Sequence, residues 1–261
     1  MKYAFSTLGV PGMPVADVAA LAADTGYQGV ELRAHHEEPV HPGLGAADRD
    51  AVVREFARAD VAVLTVAGYA KVAAPGDDVP VLEELGELLL LARDLGAPYV
   101  RVFPGGEPGE DERCDAVAAR RLGAAAEMAA GLGVRILLET HDSHRTGVAV
   151  SRVLGAVGHR QAGALWDVMH PWLGKEEPET TYLALAPFLG YVQVKDVASR
   201  EDLTPLPLGA GVLPLRECLE LAGPGGWVCW EYEKRWHPGA LDLPPLLRAG
   251  REHLDALTTG A

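Results

Sequence analysis

The stretch GALWDVMHP at residues 163–171 decides how this chain is interpreted. A short apolar run ends abruptly in Asp167, and His170 follows three residues later. This pattern is typical of a buried strand that delivers a carboxylate into a site at its carboxyl end. Asp167 is therefore predicted to lie at the end of such a strand.

Three other apolar segments end in a polar side chain in the same manner. They are residues 134–138 before Glu139, residues 191–192 before Gln193, and residues 227–230 before Glu231. In a barrel of parallel strands the carboxyl ends form one rim, so residues far apart in sequence meet there. Three facing carboxylates repel each other and have raised pKa values unless a cation lies between them. The pattern predicts one divalent metal ion held by Glu139, Asp167, Gln193 and Glu231.

The whole chain alternates between strand-like and helix-like segments. Eight apolar runs are each followed by an amphipathic segment, and successive strand ends lie roughly 26–38 residues apart. This predicts a single α/β domain over residues 1–261, a (β/α)8 TIM barrel with outer helices. A doubly wound open sheet has the same alternation, but it does not easily bring four late strand ends together. The spacing also predicts a first helix over 15–25, a sixth over 176–185 and a last helix over 241–257.

Composition narrows the classes of function. The chain has 261 residues, of which 48% are hydrophobic, enough for a large core. A net charge of −14 opposes binding to nucleic acid. No apolar run has the length of a membrane span, and the first residues do not form a signal peptide pattern. Three cysteines without a CxxC pair predict a cytoplasmic protein without disulfides. A homo-oligomer is compatible with this composition.

Five segments carry a further signal. They are GVELR at 29–33, LETH at 138–141, WDVMHP at 166–171, VQVKD at 192–196 and WEYE at 230–233. Together they resemble the xylose isomerase-like barrel superfamily, the sugar phosphate isomerase/epimerase group. The resemblance implies that Glu139, Asp167 and Glu231 bind one divalent ion together with a residue of the seventh strand. It also implies that the two glutamates act as acid and base on a ketose, while His170 contacts a substrate oxygen.

One position departs from the family pattern. The usual ligand on the seventh strand is His, whereas this chain has Gln193. A Gln carbonyl oxygen can bind a hard cation but is a poorer donor than imidazole. We therefore expect Mn²⁺ or Mg²⁺ in preference to Zn²⁺ or Co²⁺. The same replacement leaves open a non-catalytic sugar-binding barrel.

The predicted function is that of a metal-dependent isomerase or epimerase. Its small carbohydrate substrate is a sugar or sugar-like hydroxy-ketone, and proton transfer proceeds through a metal-stabilised enediolate. The alternative in the same fold is a metal-dependent lyase or dehydratase on a keto-sugar or keto-inositol. A DNA-repair endonuclease is opposed by the negative charge.

The predicted site residues fall into two sets besides the metal ligands. The catalytic residues are Glu139, Glu231, His170 and Lys195, and the substrate-binding residues are Glu31, Arg33, His141 and Trp172. Two weaker patterns lie in loops. Residues 35–41 contain three His and two Glu, yet a solvated loop is favoured there over a second metal site. The Gly-Ala-Gly sequence at 209–211 is a weak phosphate-binding pattern, and a flexible loop is favoured.

Overall fold

Eight parallel strands form a closed barrel in the computed structural model, which describes residues 1–107 and 111–258. Each strand pairs with its neighbours in chain order, and β1 pairs with β8. The strands are β1 (Lys2–Ser6), β2 (Gly29–Arg33), β3 (Ala62–Lys71), β4 (Tyr99–Phe103), β5 (Arg135–Glu139), β6 (Ala162–Asp167), β7 (Leu189–Val194) and β8 (Trp227–Trp230). The predicted (β/α)8 TIM barrel is confirmed.

Helices connect the strands and cover the outside of the barrel. They are α1 (Val15–Thr25), α2 (Ala46–Arg58), α3 (Asp78–Leu95), α4 (Asp111–Ala130), α5 (Gly147–Val157), α6 (Met169–Leu173), α7 (Pro178–Leu185), α8 (Leu215–Ala222) and α9 (Leu247–Thr258). α1 has the predicted bounds, and it ends where Gly26 adopts a left-handed φ of 81°. None of the described helices combines the length and the apolar character needed to cross a bilayer.

The helix prediction was wrong in two places. The last helix begins at Leu247 and not at residue 241, because Pro244 and Pro245 cannot donate the backbone hydrogen bonds of a helix started earlier. A short helix, α6, follows β6 directly and was not predicted, so His170 lies on a helix and not in a loop. α7 then begins at Pro178, a residue suited to a first helical turn.

The interior of the barrel changes from apolar to polar along its axis. A buried cluster formed by Ala4, Leu64, Leu137, Leu165, Tyr191 and Cys229 fills the lower part. Because side chains alternate along a strand, the next inward positions toward the carboxyl ends are two residues later. These positions carry Glu139, Asp167, Gln193 and Glu231, and Asp167 is the register partner of Gln193. The apolar layer thus forms the floor under a polar mouth.

Two tryptophans at the strand ends belong to the hydrophobic core. Trp166 and Trp230 alternate with the inward residues, so they point outward and are buried at 1% and 0% exposure. Trp166 packs near Tyr182 of α7, with ring centroids 6.4 Å apart. Trp230 packs against α9 at Gly250, where an added Cβ lies 2.2 Å from Cζ3 of the indole. Both rings therefore join helices to the barrel.

This close approach gives a stability prediction. We expect Gly250→Ala to lower the free energy of unfolding by about 1–3 kcal/mol, because the new methyl group overlaps a buried ring. Gly86 on α3 is a matched control, since nothing lies within 4 Å of an added Cβ there. Gly86→Ala should stabilise by about 0.5–1 kcal/mol through helix propensity. Urea unfolding measures both changes, and equal effects would rule out the overlap.

Candidate functional site

Lys195 lies at the centre of the polar mouth. Its side chain is 3% exposed, and its Nζ lies 2.7 Å from Asp167 Oδ2 and 2.7 Å from Glu233 Oε1. The same nitrogen donates a short hydrogen bond to Glu231 Oε2. Burial alone lowers the pKa of a lysine, but the three carboxylates raise the pKa of Lys195 well above its ordinary value. Lys195 is therefore an ammonium ion.

The side chain of Gln193 is hydrogen-bonded to Glu31. Gln193 Nε2 donates to Glu31 Oε1 at 3.0 Å, and the Tyr191 hydroxyl donates to the other oxygen of Glu31. Burial, followed by the charge of Glu231, raises the pKa of Glu31. The hydrogen bond to Glu31 orients the amide of Gln193. Gln193 Oε1 is buried without a hydrogen-bond partner among the described residues.

Arg101 on β4 lies beside Glu139 of the neighbouring strand β5. Its Nε lies 3.3 Å from Glu139 Oε2, and both side chains are almost fully buried. The residue was not predicted from the sequence, although a charged residue at the centre of the apolar run YVRVF was a usable signal. Tyr191 and Glu233 were missed as well. Their spacing of two residues from Gln193 and Glu231 places them on the same inward face.

The cations Arg101 and Lys195 change the expected charge balance. The sequence predicted that the carboxylates repel each other unless an added cation lies between them. In the structure the chain itself supplies two positive groups inside the mouth. The buried carboxylates of Glu31, Glu139, Asp167 and Glu231 still outnumber them.

The two glutamates predicted as acid and base have opposite pKa shifts. Burial raises the pKa of Glu139 well above its ordinary value, and Arg101 only partly offsets this. Burial also acts on Glu231, but Lys195 and Arg101 outweigh it and lower its pKa. Asp167 resembles Glu139, because burial raises its pKa more than Lys195 lowers it. Opposite shifts in neighbouring carboxyl groups are typical of an acid–base pair.

Two histidines lie next to Glu139. The rings of His141 and His170 have centroids 4.1 Å apart. Ligand atoms of Glu139, His141 and His170 all lie within 4.8 Å of one another, which makes them a possible three-residue metal site. Burial lowers the pKa of His170 well below its ordinary value, so its imidazole is neutral. Neutral imidazole is the form that binds a metal.

This three-residue site fits a divalent ion in two further respects. Glu139 Oε2 is buried without a hydrogen bond, so it keeps acceptor capacity. His141 Nδ1 lies 3.1 Å from Asp142 Oδ2, an arrangement that orients a metal-binding imidazole through its other nitrogen. The predicted set of Glu139, Asp167, Gln193 and Glu231 stays a prediction, and Lys195 contacts two of its members.

The predicted substrate-binding residues lie at different places. Arg33 is buried and binds Glu38 Oε1 at 2.5 Å and the Tyr69 hydroxyl at 2.7 Å. Trp172 has its ring 4.2 Å from the Arg200 guanidinium carbon, and both line a cavity of about 410 Å³ on the outer side of β6. That cavity is not lined by the carboxylates of the mouth. Of the four predicted residues, Glu31 accepts a hydrogen bond from Gln193, and His141 lies next to Glu139 in the barrel mouth.

The two loop segments at 35–41 and 209–211 make contacts with charged side chains. Backbone N–H groups of Gly209 and Gly211 each donate to Asp196 Oδ2 at 2.9 Å, so the weak phosphate-binding pattern is already occupied by a carboxylate. In the loop after β2, Glu38 binds Arg33 and Glu37 binds Arg235. Both acidic residues of this loop are therefore paired with arginines.

Aromatic rings follow the strand ends from β2 to β6. We call the rings of His36, His35, Tyr69, Phe103, His141 and His170 the aromatic arc, in which consecutive centroids are 4.1 to 5.8 Å apart. Arg101 lies under it, with its guanidinium carbon 4.0 Å from the centroid of Phe103. The charged groups Lys195, Glu231 and Glu233 follow β7 and β8. The mouth thus has an aromatic side and a charged side.

Known structures share the fold over its full length. The probable 3-DHS dehydratase AsbF from Bacillus anthracis is 18% identical, with a TM-score of 0.82 and coverage of 97% of this chain and 98% of that chain. The D-psicose 3-epimerase with D-tagatose from Clostridium cellulolyticum H10 is 14% identical, with a TM-score of 0.83 and coverage of 98% and 99%. The IolI protein with a bound zinc atom is 15% identical, with a TM-score of 0.84 and coverage of 99% and 98%. At these identities the likeness shows the fold alone.

Sequence comparison gives the family. No curated protein matches the chain in sequence. A family model described as xylose isomerase-like TIM barrel matches residues 19–257 and so spans nearly all of it. This match confirms the resemblance seen in the five sequence motifs. The chain belongs to the xylose isomerase-like TIM barrel family.

Proposed function

We propose that this protein is a metal-dependent isomerase or epimerase of a sugar or sugar-like hydroxy-ketone. One observation carries the proposal: two buried carboxyl groups, Glu139 and Glu231, face one mouth and have opposite pKa shifts. A reaction that removes a proton beside a carbonyl and returns one needs a base and an acid together. Solved structures of the same fold include sugar epimerases, which supports this choice of substrate class.

Each side chain has a role in this proposal. Glu231 is ionised and removes the proton from the carbon next to the carbonyl. Glu139 delivers a proton taken up from solvent, either on the opposite face of that carbon or on its neighbour. Lys195 keeps Glu231 ionised through their direct contact. His170 is neutral and can donate a hydrogen bond to a substrate oxygen.

A divalent ion completes the proposed site. Glu139, His141 and His170 are the residues that would hold it, and it would polarise the substrate carbonyl when bound. Mn²⁺ and Mg²⁺ were predicted from Gln193. Two imidazoles also suit Zn²⁺ and Co²⁺, so all four ions belong in the test.

The function is tested with a screen in D₂O. Purified protein loaded with Mn²⁺, Mg²⁺, Zn²⁺ or Co²⁺ is incubated with a panel of ketoses, keto-glycosides and keto-inositols. We expect deuterium in the recovered substrate and a product of otherwise unchanged mass. A product that has lost water identifies the dehydratase alternative, which begins with the same proton removal. If no combination of ion and substrate gives exchange, the proposed enzyme function is wrong and the non-catalytic sugar-binding barrel is the interpretation that remains.

Metal binding should release protons. The raised pKa of Glu139 means that its carboxyl group holds a proton to a higher pH than an ordinary glutamate does. A bound cation lowers that pKa, so the proton leaves when the ion binds. We expect the release in mildly acidic buffer and a decrease as the pH rises past the raised pKa. Calorimetry with Mn²⁺ in two buffers of different ionisation enthalpy measures it, and Glu139→Gln should abolish it.

A further inference from the structure

Lys195 contacts the carboxylates around it in the way that a bound metal cation would. The ammonium group offers three N–H donors, and three carboxylates surround it, those of Asp167, Glu231 and Glu233. Asp167 and Lys195 are almost completely buried, and Glu233 is 19% exposed. A side chain held by two hydrogen bonds and a further ion pair is a fixed charge and not a mobile one.

The Lys195 ammonium group contacts two of the four residues that were predicted to bind the metal ion. Asp167 ends β6 and Glu231 follows β8, and these are two of the four residues expected to hold one ion. Lys195 Nζ lies in contact with both of them. An ion bound by the same two oxygens would lie beside the ammonium, and two cations at that separation repel strongly in a buried site.

The remaining two members of the set differ from this pair. Glu139 Oε2 and Gln193 Oε1 are buried without a hydrogen bond among the described residues, and neither contacts Lys195. Gln193 replaces the imidazole that the family resemblance predicts, which removes the strongest donor from this position. The loss of one ligand and the presence of an internal cation are consistent with each other.

We propose that Lys195 is the resident cation of the barrel mouth and takes the place of a divalent ion between Asp167 and Glu231. Metal binding is thereby confined to Glu139, His141 and His170, on the aromatic side of the mouth. This assignment concerns charge balance and does not depend on which reaction the protein catalyses.

The proposal is tested by metal binding and not by activity. The His141→Ala variant removes a ligand from the three-residue site, and the His141→Ala/Lys195→Met variant also removes the internal cation. Calorimetry with Mn²⁺ should show at least about tenfold tighter binding to the double variant than to the single one, a difference of about 1.4 kcal/mol. Adding Asp167→Asn should abolish the gain. Equal affinity of the single and double variants would overturn the proposal.

A second measurement covers the case in which the double variant does not fold. His141→Ala keeps Lys195, so Asp167 and Glu231 keep their cationic partner without a metal ion. We expect the same Tm for this variant in EDTA and in Mn²⁺. A Tm that falls in EDTA and recovers in Mn²⁺ would show that an ion, and not Lys195, balances Asp167 and Glu231, and the proposal would be wrong.

Discussion

Glu231→Gln and Glu139→Gln should each abolish the exchange of substrate hydrogen with solvent deuterium. Each replacement removes a group that takes or gives a proton, and such groups contribute about 10²–10⁴-fold to a rate. The expected readout is kcat lowered by that factor, measured by deuterium incorporation in the recovered substrate. Retained exchange in both variants would refute the assigned roles.

A control separates chemistry from folding in these variants. Glu127 is 77% exposed on α4, and Glu127→Gln makes the same chemical change far from the mouth. It should leave both the exchange rate and Tm unchanged. The two variants of the mouth should keep the wild-type circular dichroism spectrum, so that lost exchange reports lost proton transfer.

Arg101→Leu should be among the most destabilising single substitutions in the chain. It leaves Glu139 without its buried cationic partner, and the loss of one partner of a buried pair costs about 3–5 kcal/mol. The effect should depend on pH. Without Arg101 the folded-state pKa of Glu139 rises further, so the folded chain binds more protons than the unfolded one. Stability then falls as the pH increases above the unfolded glutamate pKa of about 4.3.

Urea unfolding at several pH values measures this loss. Arg58→Leu is the matched control, because Arg58 is 69% exposed and pairs with Glu55 on the surface of α2. An exposed pair of this kind contributes about 0–1 kcal/mol. A loss for Arg101→Leu that is as small as the control, or that shows no pH dependence, would mean that Glu139 does not need its partner.

The fold could be predicted from the sequence because its signal is local and repeated. α1 was predicted with its observed bounds, since it is an amphipathic segment closed by Gly26. The convergence of Asp167 with Gln193 followed from the parallel arrangement, in which strand ends share one rim. The last helix was misplaced because apolar spacing continues across Pro244 and hides the missing donors.

The details of the mouth could not be predicted in the same way. The sequence shows that Lys195 follows Gln193 by two residues, but not which carboxylates its long side chain reaches. Arg101 was overlooked because a single arginine within an apolar strand has no partner visible in the sequence. The partners lie at the ends of neighbouring strands, but the conformation of each long side chain decides which oxygen it reaches, and the sequence does not show that conformation.

The aromatic arc limits the shape of a molecule that can use the whole mouth. Its rings can stack on the C–H face of a ring that retains a ketone, such as a keto-inositol or a keto-glycoside, whereas the charged side can bind hydroxyl and carbonyl oxygens. An extended open chain has no such flat face and gains less from Phe103 and Tyr69. The orientation of the bound ring then determines which of its two faces meets Glu231, and thus the stereochemistry of the product.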